Sequence, residues 1–276
     1  MATVAYYRPS SVTEAARLAA ANPAARVIAG GQSVLPSLKL GLLAPEAFID
    51  LGAIAELQGI RTTGKSITIG AMTPHAAVAA SAEVRAMIPA LAALAGGIGD
   101  PQVRNRGTIG GSLANNDPAA DYPAAVLGLN ATIRTNQRSL PADGFFKGVF
   151  ETQLAAGELI TAVEFPVPNR AAYAKFPQPA SRFALVGVFV AQTPQGARVA
   201  VTGAGPCAFR VKALEEALTR KFAPEACDEI TVPATGLNHD IHGSAEYRAH
   251  LIPILARRAR RSSSSPRTVP ARFTTR

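Results

Sequence analysis

Three stretches of this chain have residue types and spacings suited to holding a phosphate. Residues 59–66 read G-I-R-T-T-G-K-S, which matches the phosphate-loop pattern G-x-x-x-x-G-K-[ST] letter for letter. That pattern works only where a strand runs in and a helix starts at the lysine, so that backbone N–H groups converge on the anion. Here A-I-A-E-L-Q precedes Gly59 and favours helix, while S-I-T-I-G-A-M follows Lys65 with Ile67 and Ile69 alternating as in a strand. Residues 60–70 are therefore expected to form a β-hairpin with T-G-K at its turn, and the match is a coincidence of spacing.

The other two stretches are glycine pairs beside hydroxyl donors. Ala29, Gly30, Gly31, Gln32 and Ser33 follow a short apolar run; Thr108, Ile109, Gly110, Gly111 and Ser112 follow a polar loop. Neither is G-x-G-x-x-G. Glycine lets backbone approach a ligand closely, and successive exposed N–H groups form an anion-binding nest. Two nests would divide the phosphates of a dinucleotide, each hydrogen bond to a charged oxygen contributing about 1.5–3 kcal/mol. Two tight turns fit the same spacing equally well. Asp117 and Asp121 follow the second pair. Carboxylates there suit ribose hydroxyls or a ring N–H, and suit solvated loop acids or helix caps no less.

Alternating β and α elements must position these segments. Ser11 and Glu14 form a capping box before an alanine-rich helix that stops near Pro23. A-R-V-I-A-G-G reads as a short buried strand entering the first glycine pair, and F-I-D-L as another; the crossings are too short for a long Rossmann sheet. T-P-H-A-A-V-A-A-S and V-R-A-M-I-P-A-L-A-A-L-A-G-G-I-G read as helices, with Thr73 as N-cap before Pro74. Residues 99–123 read as a glycine- and asparagine-rich loop. P-A-A-V-L-G-L-N is helical, and A-T-I-R-T and E-L-I-T-A-V-E-F-P are strands. Pro166 and Pro168 mark a boundary. Beyond it, residues 183–205 read as two strands about a T-P-Q-G turn, followed by an amphipathic helix over 211–222 and a last helix over 244–261 kinked at Pro253.

Bulk properties narrow the function classes. No apolar run approaches the roughly 20 residues of a membrane span, and the N-terminal residues lack a basic segment followed by an apolar stretch. The net charge is +9, but seven arginines and no acid fall in 257–276, which leaves 9 − 7 = +2 for the rest. A near-neutral body argues against a nucleic-acid groove, and the Ser-, Pro- and Arg-rich end is expected to be disordered. Two cysteines, Cys207 and Cys227, argue against a disulfide framework and for a cytoplasmic protein. They are too few to ligate an all-cysteine iron–sulfur cluster. His239 and His242 lack partners at a metal-site spacing and are expected in a loop.

Taken in order, V-I-A-G-G-Q-S-V-L-P-S-L-K-L-G-L-L-A-P-E-A-F-I-D-L, T-I-G-A-M-T-P-H-A-A-V and residues 100–131 around T-I-G-G-S resemble the FAD-binding medium subunit of molybdenum hydroxylases. The likeness is to the aerobic carbon monoxide dehydrogenase type within the wider xanthine dehydrogenase family, and it spans about residues 2–260. It implies an α+β fold: a two-lobed PCMH/vanillyl-alcohol-oxidase-type FAD-binding domain (lobes 1–57 and 58–169), a small C-terminal α/β domain of the CO-dehydrogenase-flavoprotein type (170–261), and a basic tail (262–276). Ala29, Gly30, Gly31, Gln32 and Ser33, with Thr108, Gly110, Gly111 and Ser112, match the positions that hold the FAD pyrophosphate. Asp121 matches a cofactor contact, Ile160 an apolar position near the flavin ring, and Lys175 a lysine beside it, where positive charge would favour reduced flavin. Gln32 stands where the carbon monoxide enzymes have histidine.

The same resemblance implies partners: a large molybdopterin-binding subunit and a small [2Fe-2S] subunit, assembled as a dimer of heterotrimers, with an external electron acceptor. No catalytic side chain and no metal site are expected on this chain, nor a specific nucleic-acid partner. Two other readings are a stand-alone flavin-dependent oxidoreductase with its own substrate pocket, and a non-enzymatic scaffold subunit that has lost FAD.

Overall fold

The computed structural model describes residues 4–263. Three sheets follow one another along the chain. The first is parallel, with strands β1 (Ala5–Tyr7), β2 (Ala25–Ile28) and β3 (Ala47–Asp50) in the order β1-β3-β2. Helix α1 (Val12–Ala21) crosses from β1 to β2. Half of its capping box forms: Ser11 Oγ accepts the Glu14 N–H at 3.2 Å, while the Glu14 carboxylate accepts the N–H of Ser10, one residue before the cap, at 2.9 Å. Helix α2 (Val34–Lys39) follows the first glycine pair. β2 is half-exposed rather than buried, because it is an edge strand.

The second sheet is antiparallel, in the order β4-β5-β10-β6-β7. β4 (Ile60–Thr62) and β5 (Ser66–Gly70) are the expected hairpin, in register Ile60 to Ile69, and Gly64 lies in its turn with φ of 81°. No helix starts at Lys65, so residues 59–66 are not a phosphate loop. Helices α3 (His75–Ala80), α4 (Ala82–Met87) and α5 (Pro89–Gly96) come next, broken where Ser81 and Ile88 take non-helical backbone. Thr73 does not cap α3, whose N-cap is Pro74. Its hydroxyl instead donates to the Gly59 carbonyl and accepts the Gly59 N–H, pinning the entrance of β4.

The supposed loop over residues 99–123 is largely helical. Asp100 caps α6 (Pro101–Arg106), Thr108 caps α7 (Ile109–Asn115), and α8 (Tyr122–Gly128) begins after Asp121. Strands β6 (Thr132–Thr135), β7 (Ser139–Pro141), β8 (Phe146–Gly148), β9 (Glu151–Thr152) and β10 (Ile160–Pro166) complete this region, β8 and β9 pairing as a separate small hairpin.

The third sheet is an antiparallel meander of β11 (Arg170–Pro177), β12 (Ala184–Thr193), β13 (Gly196–Thr202) and β14 (Phe209–Arg210). Helices α9 (Lys212–Arg220) and α10 (Ala245–Ser262) pack on it, with Pro253 inside α10. His239 and His242 lie in the loop before α10, where Asp240 pairs with the buried guanidinium of Arg248 at 2.7 Å. Among the described residues no group of His, Cys, Asp or Glu could hold a metal ion. No described helix is long and apolar enough to cross a membrane. The expected disordered end lies, from residue 264 on, outside the described residues.

Each sheet has its own buried core, and the cores interlock. Met72 and Leu159 from the second region pack with Ile49, Leu51 and Ile54 of the first; Phe189 and Ala200 of the third sheet join the core around Leu91, Tyr122 and Phe145.

Candidate functional site

The two glycine pairs, about 80 residues apart in sequence, meet in space. Gly30 sits on the end of α6. A Cβ added there would lie 2.6 Å from the Arg106 carbonyl carbon and 2.8 Å from Gly107 Cα, closer than any real Cβ contact. On the other side, a Cβ at Gly111 would lie 3.4 Å from that of Ala29. Only glycine at position 30 permits this backbone-on-backbone approach. Gly31 then turns the chain with φ of 74°.

The donors divide unequally between the two segments. The N–H groups of Gly30, Gly31, Gln32 and Ser33 have no acceptor among the described residues. In the second segment they are used internally: Gly110 donates to the Ala71 carbonyl at 2.8 Å, Gly111 to Thr108 Oγ1 at 3.2 Å, and Ser112 to the Thr108 carbonyl at 3.0 Å. The free backbone donors therefore belong to the first segment. The second supplies close packing, since a Cβ at Gly110 would lie 2.5 Å from that of Ala71. Ala71 in turn donates to the Thr161 carbonyl at 2.9 Å, which ties this segment to β10 beside buried Ile160.

Asp121 and Lys175 form a second cluster. The Asp121 carboxylate is buried. It accepts the Tyr173 hydroxyl at 2.5 Å and lies 3.0 Å from the Lys175 ammonium, which also donates to the Gly97 carbonyl at 2.8 Å. Burial pushes the Asp121 carboxyl up, and the Lys175 charge and the Tyr173 hydrogen bond oppose that push. Burial, then the Asp121 charge, hold Tyr173 far above the ordinary phenol value, so it stays protonated and donating. The Lys175 ammonium has three N–H donors, two of them engaged. Its charge is shared with Asp121.

His75 and Tyr122 join the two clusters, and nothing in the sequence singled them out. The His75 backbone N–H donates to the Gly107 carbonyl at 2.9 Å, and the imidazole lies 5.3 Å from the ring of Tyr122, the neighbour of Asp121. Desolvation, with Arg104 adding a smaller push, lowers His75 to about 4. The imidazole is neutral at pH 7. A side chain at Gly107 would meet it, with Nε2 only 2.6 Å from the added Cβ. A surface depression of about 470 Å³ is lined by Gln58, Gly59, Thr73, Pro74, Ala77 and Ser81 among others, and by none of the residues matched to FAD binding. The site is a seam between segments and lies apart from this depression.

A seam of unpaired amides closed by glycine contacts suits the diphosphate of a dinucleotide, and comparison with known proteins identifies the family. The family model described as "FAD binding domain in molybdopterin dehydrogenase" matches residues 2–168. The chain belongs to this family. It is 36% identical to the nicotine 6-hydroxylase medium subunit of Paenarthrobacter nicotinovorans, over 92% of this chain and 95% of that protein. It is also 36% identical to the carbon monoxide dehydrogenase medium chain of Hydrogenophaga pseudoflava, over 92% and 94%. Among solved structures, reconstituted CO dehydrogenase from Oligotropha carboxidovorans aligns with a TM-score of 0.86 at 32% identity, covering 93% of this chain and 96% of that one. The α+β fold expected from the resemblance is thus the fold of its relatives.

Proposed function

We propose that this chain is the FAD-binding electron-transfer subunit of a molybdenum hydroxylase complex. It passes electrons from [2Fe-2S] clusters on a small partner chain to an external acceptor, while a large partner holds the molybdopterin. The observation that carries this reading is the seam: four consecutive amides without acceptors, lying against a second glycine segment in a chain whose relatives are medium subunits of such complexes. The residues fit the cofactor, because four consecutive backbone donors at Gly30 to Ser33 have no acceptor among the described residues and suit the charged oxygens of a diphosphate. Bound FAD would supply redox chemistry able to take electrons singly or in pairs.

The chain's own residues bind, orient and tune. The amides of Gly30, Gly31, Gln32 and Ser33 donate to the pyrophosphate. Thr108, Gly110 and Gly111 fix the opposing turn, and the Ser112 hydroxyl, which has no partner among the described residues, is a further donor. Asp121 and the remaining Lys175 donor face the cofactor as one nearly neutral pair. Ile160 offers an apolar contact from β10. The three sheets act as two FAD-binding lobes and a C-terminal domain divided near residues 57 and 169, and the complex is a dimer of heterotrimers in the cytoplasm. No side-chain acid, base or nucleophile of this chain is required.

The test is to purify the tagged chain from its host and measure absorption spectra and metal content. Molybdenum, iron and flavin in fixed ratio to the chain are expected. Flavin alone, with turnover of an organic substrate by the isolated chain, would favour a stand-alone flavoenzyme. A colourless protein without metals would leave a scaffold.

A further inference from the structure

The segment between α5 and α6, residues 97–100, is G-I-G-D, among the most flexible backbone the sequence could specify. Gly99 has φ of 48°. Three consecutive carbonyls of this segment are nonetheless each held by a cation. Lys175 donates to Gly97 O at 2.8 Å. Arg104 donates through one terminal nitrogen to both Ile98 O and Gly99 O, each at 2.9 Å. Arg182 adds a longer bond to Gly99 O at 3.4 Å. Of these cations, Arg104 makes the two short bonds from within α6 itself.

Its place on that helix matters. Arg104 lies two residues before Arg106, whose carbonyl group is the surface against which Gly30 packs. The guanidinium thus ties the last turn of α6 to the loop that precedes the helix. Gly97, at the far end of the same loop, is held by Lys175, which is paired with Asp121. One side chain therefore sets the spacing between the glycine seam and the Asp121–Lys175 pair. A loop freed from Arg104 would keep the Lys175 bond to Gly97, the longer Arg182 bond to Gly99 and the Asp100 cap, but would lose both short bonds that tie it directly to α6.

We infer that Arg104 is a positioning residue for the cofactor: it does not touch FAD, but it holds the α5–α6 loop and the α6 terminus in the register that the seam and the Lys175–Asp121 pair require. This rests on the FAD reading above. Arginine suits the task because its rigid planar fork presents two hydrogens from one nitrogen to neighbouring carbonyls at fixed angles.

The experiment uses the full chain reconstituted with FAD, in wild type, Arg104→Met and Arg104→Lys forms. Three quantities are read: FAD dissociation constant, flavin midpoint potential and thermal midpoint without FAD. Arg104→Met is expected to weaken FAD binding at least fivefold and to move the midpoint potential and visible spectrum of whatever flavin is retained. Arg104→Lys, which can still donate to a carbonyl, is expected to recover part of both. A wild-type chain that binds no FAD defeats the FAD reading itself. A wild-type chain that binds FAD, with Arg104→Met unchanged in affinity and potential, overturns the positioning role alone. If Arg104→Met loses only thermal stability and the affinity and potential of its folded fraction match wild type, the residue is merely structural and the inference also fails.

Discussion

Gly30 offers a direct test of the seam, because the structure fixes both the size of the perturbation and its target. In Gly30→Ala the new methyl group would meet the Arg106 carbonyl carbon at 2.6 Å and Gly107 Cα at 2.8 Å. Both are backbone atoms and cannot rotate away. Ordinary contact begins near 3.4 Å, so the two segments must part by roughly 1 Å or the backbone must twist, at a cost of about 1–3 kcal/mol by the usual scale of overpacking. The nest moves with Gly30. If two of its four amides lose their phosphate oxygens at about 1.5 kcal/mol each, the loss is about 3 kcal/mol, or on the order of 100-fold in FAD affinity.

Gly64→Ala is the control. Gly64 has φ of 81° with nothing within 4 Å of an added Cβ, so only turn strain of about 1–2 kcal/mol applies. It also lies in the phosphate-loop look-alike. FAD affinity would be followed by flavin fluorescence, and stability by urea unfolding of the cofactor-free chain. Gly30→Ala should lose both, and Gly64→Ala stability only. Gly30→Ala binding FAD within twofold of wild type would refute the claim that backbone contact at position 30 shapes the nest. A large loss of affinity in Gly64→Ala would refute the dismissal of residues 59–66.

Two further predictions concern electrostatics. His75 is held near 4 in the fold against an ordinary value of 6.5, so the unfolded chain binds the extra proton first as pH falls. The stability from keeping it neutral is complete above about pH 6.5 and is lost progressively toward pH 4, on the order of 3 kcal/mol in all. Urea unfolding across that window should show a steeper fall in wild type than in His75→Gln, and parallel curves would contradict the assignment. Asp143, on the second region, accepts Arg198 at 2.7 Å and Arg210 at 2.9 Å from the third sheet, while Arg198 also donates to the Leu127 carbonyl. Asp143 is half-exposed, so Asp143→Asn should cost only about 1 kcal/mol. The loss should appear as faster proteolytic cleavage near residues 166–170, and unchanged cleavage there would remove Asp143 as a fastening between the two regions.

Local signals in the sequence predicted local structure well. The Ser11 cap of α1, the hairpins at 60–70 and 184–202, and the helix stop before Pro23 each depend on residues within a turn or two of one another. Residues 99–123 were misread for a related reason. Their glycines and asparagines suggest loop, yet Asp100 with Pro101 and Thr108 with Gly111 each start a short helix, whose few residues give no apolar period to detect. The first glycine pair keeps the free amides that its spacing suggested, but the fate of the second pair was not legible. Whether the N–H of Gly110 is free depends on Ala71, nearly 40 residues away.

The charged pair at the site was beyond any local reading. Lys175 and Asp121 each stood out separately, but their contact joins positions 54 apart, and the Gly97 carbonyl completing the set is 78 from Lys175. Only the register of β11 against α5 and α8 brings them together. That register is set in turn by Ala171, Phe189 and Tyr122 in the shared core. A lysine read alone promises positive charge near the cofactor; the same lysine bonded to a buried carboxylate promises little net charge and a fixed donor. The physical role of the residue therefore changes with its partner, and removing the partner is the sharper perturbation. Asp121→Asn would leave the ammonium in place and unneutralised, so the influence on the flavin that sequence matching assigns to Lys175 should emerge in full only when Asp121 is gone.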